Sequence, residues 1–161
     1  MTFNLIEVDY NNPHQASDLV AMLNHYAQDP MGGGEPLSEF VQQNLAKSLA
    51  QTPGAFSFII YIEGKPAAMC NCFTGFSTFA CKPLINIHDF VVHSDFRGQG
   101  LSKHLLSAVA EKAKKDGCCK VTLEVLSNNK AAIQAYNKFG FKLYQLDEAA
   151  GTAQFMELKL V

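Results

Sequence analysis

Arg97-Gly98-Gln99-Gly100-Leu101-Ser102 joins a run rich in β-branched and aromatic residues, Leu84 to Val92, to a segment that sets Leu101, Leu105, Leu106, Val109, Ala110 and Ala113 on one helical face. A strand that turns through glycines into a helix gathers unpaired backbone N–H groups and a positive dipole end, an arrangement suited to an anion and above all to a phosphate. The chain has no Walker run of Gly, four residues, then Gly-Lys-Ser/Thr. The dinucleotide fingerprint G-x-G-x-x-G would need glycine where Lys103 stands, and it belongs to an early strand–helix–strand unit, whereas this turn lies past the middle of the chain. On the preceding strand stand His88 and Asp89, of which ordinarily only one can face a common ligand, because successive strand residues point to opposite faces.

The turn resembles the Arg/Gln-x-x-Gly-x-Gly/Ala loop with which the GNAT acyltransferases bind the pyrophosphate of acetyl-CoA. Arg97 and Gly100 fit that pattern, and Ser102 replaces the small last residue. Downstream, Asn129-Lys130-Ala131-Ala132-Ile133-Gln134-Ala135-Tyr136-Asn137-Lys138-Phe139-Gly140-Phe141 is similar to the family's second signature, in which Asn and Ala precede a Tyr on a short helix ending in Gly-Phe. One helix (roughly Gly100 to Asp116) and one strand (Lys120 to Leu126) fill the space between, in the family's order. The resemblance covers about residues 84 to 147.

That resemblance implies an acetyl-CoA-dependent N-acetyltransferase acting by direct transfer in a ternary complex, with a small-molecule primary amine as acceptor. Backbone N–H groups from Gln99 to about Lys103, including those of Gly100, Leu101 and Ser102, would face the diphosphate beside Gly98, with Arg97 and Lys103 adding charge. Backbone groups of Phe90, Val91 and Val92 would hold the pantetheine arm, one N–H polarising the thioester carbonyl, an effect of about 3 kcal/mol on the barrier. Tyr136 takes the place of the family's general acid, since a phenol with pKa ~10 lies close to an alkyl thiol. Its alternative is a buried core tyrosine. Asn129 caps the Tyr136 helix, and in the family also bonds near the pantetheine.

His88 has a pKa suited to relaying a proton from an ammonium; the alternative is a satisfied polar residue, and Glu124 on the next strand is a reserve base. Asp89 would hold a cationic substrate or tie into the structure. The loop from Asp29 to Glu35, with Gly32-Gly33-Gly34 between acidic ends, reads either as a mobile cover over an amine or as a solvated turn, and Tyr26 lines the same groove or the core. Two other functions stay open: a non-catalytic acyl-CoA-binding sensor, and an acetyltransferase for protein N-termini or lysines. Pairing of family members through their C-terminal strands makes a homodimer an expectation.

These residues need elements to hold them. Thr2 to Val8 reads as a strand. Asn12-Pro13 reads as a helix start with Gln15 completing a capping box, and Ala16, Leu19, Val20, Leu23 and Ala27 follow at helical spacing. Ser38 caps a second helix carrying Val41, Leu45 and Leu49. Phe56 to Ile62, a turn at Gly64-Lys65-Pro66, and Ala67 to Phe79 form two strands. After the central strand, helix, strand and helix, two last strands are expected near Phe141 to Leu146 and Ala153 to Leu160. The order β-α-α-β-β-β-α-β-α-β-β is a single α/β domain, a central mixed sheet flanked by helices, spanning residues 1–161.

Composition bounds the rest. The chain has 161 residues, 48% of them hydrophobic, enough for one proper core. A net charge of −2 speaks against nucleic acid as partner, and no apolar run reaches membrane-spanning length. Five cysteines, an odd number with no framework spacing, and no basic-then-apolar leader before Asn4 suggest the cytoplasm. Cys70 and Cys72 share a strand face without further ligands nearby, and His88 and His93 do not converge, so no metal is expected.

Overall fold

The computed structural model describes residues 2–160 and divides them into two compact units, Met1–Leu123 and Glu124–Val161. The first unit runs β1 (Asn4–Glu7), α1 (Pro13–Gln28), a 3-10 turn at Pro30–Gly32, α2 (Glu39–Gln51), β2 (Ala55–Ile62), β3 (Lys65–Ser77), β4 (Lys82–Val92), α3 (Leu101–Lys115) and β5 (Val121–Leu123). The strands lie in sequence order, antiparallel from β1 to β4, with β5 parallel to β4.

Alternation along the strands sorts side chains onto two faces. Ile59, Met69 and Val91 are register partners and join Val8 just after β1, Leu19 and Met22 of α1, and Leu49 of α2 in one buried cluster. The residues between them point the other way, where Ile60, Ala68, Cys70 and Phe58 are buried with the Leu101, Leu105, Leu106 and Val109 face of α3. The Lys112 ammonium of α3 lies 4.9 Å from the centre of the Phe56 ring on that side. Each fully buried Leu or Ile contributes on the order of 2 kcal/mol, so the two covered faces hold the sheet between helices. Among the described residues, no helix is long and apolar enough to cross a membrane.

Three local expectations need correction. Asn12 caps α1, accepting from His14 and Gln15 N–H, but the Gln15 side chain accepts from the Asp9 N–H, so the reciprocal box is not closed. Asn12's own N–H is already taken by the Asp9 carbonyl at 3.0 Å. The β2–β3 turn is Glu63-Gly64, with φ of 49° and 76°, a two-residue hairpin turn that puts Lys65 and Pro66 into β3. β5 stops at Leu123 rather than Leu126, because its pairing with β4 ends at Ile87↔Leu123, and Glu124 follows the strand.

The second unit carries α4 (Lys130–Phe139), and beyond it the two expected final strands do not form. Their segments meet at one antiparallel bridge, Gln145↔Thr152, with the Ala153 N–H bonded to the Tyr144 carbonyl at 2.9 Å. Leu143, Leu146, Phe155, Leu158 and Leu160 are exposed. A lone pair of extended segments that buries no apolar face is marginal as a sheet.

Candidate functional site

The glycine turn follows a short connection from β4. The His93 N–H bonds to the Ala67 carbonyl at 2.9 Å, and Ser94–Phe96 make one 3-10 turn. Gly98 and Gly100 have φ of 77° and 79°, the left-handed region, which is why glycine is required at both. A side chain at either would meet no atom within 4 Å, so the backbone there is uncovered. Gly100 is the N-cap of α3 and supplies no side-chain acceptor. The first N–H groups of α3 at Leu101 and Ser102 therefore point out of the helix without a cap, as an anion site requires. The Leu101 side chain is core, while Lys103 is exposed.

Arg97 is engaged differently from the expectation. Its Nε donates to the Val92 carbonyl at 3.3 Å and its Nη2 pairs with Asp29 Oδ2 at 3.0 Å. Asp29 also accepts from the Met31 N–H, capping the 3-10 turn, and these two donors hold its carboxyl below the ordinary range. Nor are the glycines of this loop slack. The Gly34 and Glu35 N–H groups bond to the Asp29 and Ala27 carbonyls, both at 3.1 Å. A Cβ at Gly32 would stand 1.9 Å from the Tyr26 carbonyl oxygen, so glycine is there to let two backbones touch. The loop is pinned onto the end of α1, with the Glu35 side chain exposed.

Beside the turn, His25 and His93 stack with ring centres 4.0 Å apart. His25 Nε2 accepts from the Ser94 N–H at 3.4 Å and His93 Nδ1 from the Asp95 N–H at 3.3 Å. Burial, then His93 and Arg97, lower the His25 pKa.

On β4, Asn71 pairs with Asp89 and Cys72 with Ile87, which leaves His88 as an extra residue with no register partner. The bulge removes the alternation that would send His88 and Asp89 to opposite faces. Asp89 Oδ2 accepts from Asn71 Nδ2 at 2.8 Å, and the His88 ring meets Phe73 edge-on at 5.5 Å. Asn71 and Phe73 are two apart on β3, so His88 and Asp89 share the α1–α2 face. Tyr26, in the last turn of α1, donates to the Met31 carbonyl at 3.2 Å; burial, then the charges of Asp89 and Asp29, raise its phenol pKa. Val91 points into the same face as core, while Phe90 and Val92 point to the α3 side. Past Ile87, β4 is laddered to β3 alone.

In the second unit Asn129 caps α4 through the Ala132 N–H at 3.3 Å. Gly140, with φ of 120°, ends it, and the Gly140 and Phe141 N–H groups both bond to the Tyr136 carbonyl. Tyr136 is buried with Phe141 edge-on at 5.9 Å. Glu124 is exposed at the start of this unit.

The sequence reading passed over Tyr10, Ser57 and Asn71, which link to Asp89. The signal for Ser57 and Asn71 was a lone polar residue within an apolar strand run, in Phe56-Ser57-Phe58 and Cys70-Asn71-Cys72, and Tyr10, between β1 and α1, had none. The Cys70 and Cys72 sulfurs touch at 3.9 Å, and the Cys70 thiol, then burial, push the Cys72 thiol up, far from nucleophilic form. Among the described residues no three His, Cys, Asp or Glu side chains group as metal ligands would.

Residues 19–141 match the model of the acetyltransferase (GNAT) family. The chain is 36% identical over 87 residues to an uncharacterized N-acetyltransferase of Methanocaldococcus jannaschii, covering 53% of this chain and 38% of that one. It is 32% identical over 102 residues to a thialysine N-epsilon-acetyltransferase of Sus scrofa, covering 60% and 58%. The matched segments thus span less than two thirds of either relative. In fold it is similar to an aminoglycoside acetyltransferase from an uncultured soil metagenomic sample, with a TM-score of 0.74 at 17% identity, over 98% and 97% of the two chains.

Proposed function

We propose, since this chain belongs to the acetyltransferase (GNAT) family, that it moves an acetyl group from acetyl-CoA to the primary amine of a small molecule. The observation that carries this reading is the uncapped start of α3, reached through two left-handed glycines a short connection beyond a strand whose outer ladder has ended. The fit to a CoA thioester is chemical. The N–H groups of Gln99 to Ser102 suit a diphosphate, that of Lys103 being taken by the Gly100 carbonyl at 3.1 Å, and the backbone of Phe90, Val91 and Val92 suits the amides of a pantetheine arm. Asn129 belongs to this donor side as well, through the helix it caps.

Acetyl-CoA supplies the thioester, whose C–S bond breaks as a C–N bond forms to the amine. Asp89 holds the amine and His88 accepts its proton, since the β4 bulge sets both on one face. The Tyr136 phenol returns a proton to the departing sulfur. A backbone N–H of the Phe90–Val92 stretch polarises the carbonyl. Tyr26, Asp29 and Glu35 border the acceptor. The thialysine N-epsilon-acetyltransferase among the relatives supports a small acceptor. The free cysteines support a reducing cytoplasm.

Calorimetric titration with acetyl-CoA tests the donor side. Saturable binding is the expected result, and absence of binding at millimolar acetyl-CoA contradicts the reading. Binding without CoA release across a panel of amines would identify a non-catalytic acyl-CoA sensor instead.

A further inference from the structure

A polar row crosses the apolar face on which α1 and α2 pack. Ser57, Asn71 and Asp89 are register partners on β2, β3 and β4. The row on one side is Ile59, Met69 and Val91, and on the other side stand Ala55 and Phe73, all part of or packed against the hydrophobic cluster. Ser57 and Asn71, at 0% and 3% exposure, are the buried polar side chains among the described residues.

The direction of every hydrogen bond in the row is forced from one end. A carboxylate only accepts, so Asn71 turns its Nδ2 to Asp89 Oδ2, at 2.8 Å. Asn71 Oδ1 then faces Ser57, whose hydroxyl must donate, at 2.6 Å. That uses the single Ser57 proton, so the Tyr10 hydroxyl, 2.8 Å away, donates to Ser57 Oγ. Burial pushes the Tyr10 phenol up, so it keeps the proton that it donates. Three donors in series end on one carboxylate, each polarising the next.

Stability does not call for this row. Apolar side chains would fill the same places, as they do on both sides, and hydrogen bonds contribute no more net than such burial. The row ends on a partly buried carboxylate that has no cationic partner among the described residues. A cation is therefore the complementary ligand, with the aromatic surface of Tyr26, which feels the Asp89 charge, and of Phe73, edge-on to His88, on the same face.

We propose that Tyr10, Ser57 and Asn71 are positioning residues that hold Asp89 as the anchor for an alkylammonium group, so that the acceptor is an aliphatic primary amine taken up in charged form beside His88. This rests on the acetyl-transfer reading for its use, though not for its binding test. Calorimetry of the whole chain with butylammonium chloride as probe should show saturable binding that Asp89→Asn abolishes. Asn71→Leu should weaken it about tenfold and Tyr10→Phe, at the far end, about threefold. Circular dichroism confirms that each variant folds, and Tyr10→Phe keeps its packing if Asn71→Leu does not. In turnover Asn71→Leu and Tyr10→Phe should raise KM for an alkylamine by those factors while kcat stays within twofold, a split that general loss of structure does not produce. Wild-type binding that Asn71→Leu and Tyr10→Phe leave unchanged overturns the proposal, as does a wild type that ignores butylammonium. Butylammonium binding that follows this order in a chain that never releases CoA would sink the acetyl-transfer reading and leave the positioning row standing.

Discussion

The Arg97 guanidinium and the Asp29 carboxylate meet at 3.0 Å, joining the loop after α1 to the entrance of the glycine turn. The pair is half exposed, and such pairs contribute about 0–1 kcal/mol, so a diphosphate can take Arg97 from Asp29 at little cost. Arg97→Ala should therefore weaken acetyl-CoA binding by about tenfold, the value of a lost charge-assisted contact. Asp29→Ala, which frees the guanidinium, should leave it unchanged or tighten it by up to about fivefold. Calorimetry on both variants reads the contrast. Equal weakening by both would mean that the pair shapes the turn and Arg97 does not meet the ligand.

Acid should weaken the fold through His25. Its folded pKa lies below the ordinary 6.5 because burial, then His93 and Arg97, oppose its charge. Just below pH ~6.5 the unfolded chain binds more protons at this position than the folded one, so stability falls as pH falls through that window, and the loss due to His25 is complete only below its folded pKa. Thermal melts between pH 7 and 5 should show a declining Tm, and His25→Phe, which keeps the stack without a titrating nitrogen, should flatten the slope. A variant with the wild-type slope would assign the acid sensitivity elsewhere.

Glycines in the loop after α1 should differ sharply from one another. Gly34→Ala should cost about 1 kcal/mol, since its φ of 80° is unfavourable but no atom lies within 4 Å of the new Cβ. Gly32→Ala drives that Cβ into the Tyr26 backbone oxygen at 1.9 Å and should cost about 3 kcal/mol or more. Denaturant melts measure both; similar small losses would mean the loop is not pinned as described.

Removing the Tyr136 hydroxyl should act on chemistry. Tyr136→Phe keeps the ring against Phe141 and should lower kcat by about 100-fold or more while acetyl-CoA affinity holds. Unchanged turnover would move the acid role to another group.

Much of this was legible in the sequence because it is local. The glycines at 98 and 100, the Asn12, Ser38 and Asn129 caps and the α3 stripe each follow from short-range rules, and each stands in the structure. What was not legible depends on pairing across the sheet. Alternation allowed His88 or Asp89 to face the acceptor, and only the slip opposite Asn71 and Cys72 turns both the same way. The Tyr10–Ser57–Asn71 row is invisible until β2, β3 and β4 are in register. The final strands misled for the opposite reason: alternation is present at Met156, Leu158 and Leu160, but the apolar side chains stay uncovered and a single bridge forms among the described residues.

The central claim is amine acetylation, and mass spectrometry of the acceptor tests it most directly. Incubation of the protein with acetyl-CoA and a panel of small primary alkylamines should yield an amine heavier by one acetyl group, with one free CoA thiol per product and loss of both in His88→Gln. Acetyl-CoA that binds but is never consumed, whatever the amine, would contradict it.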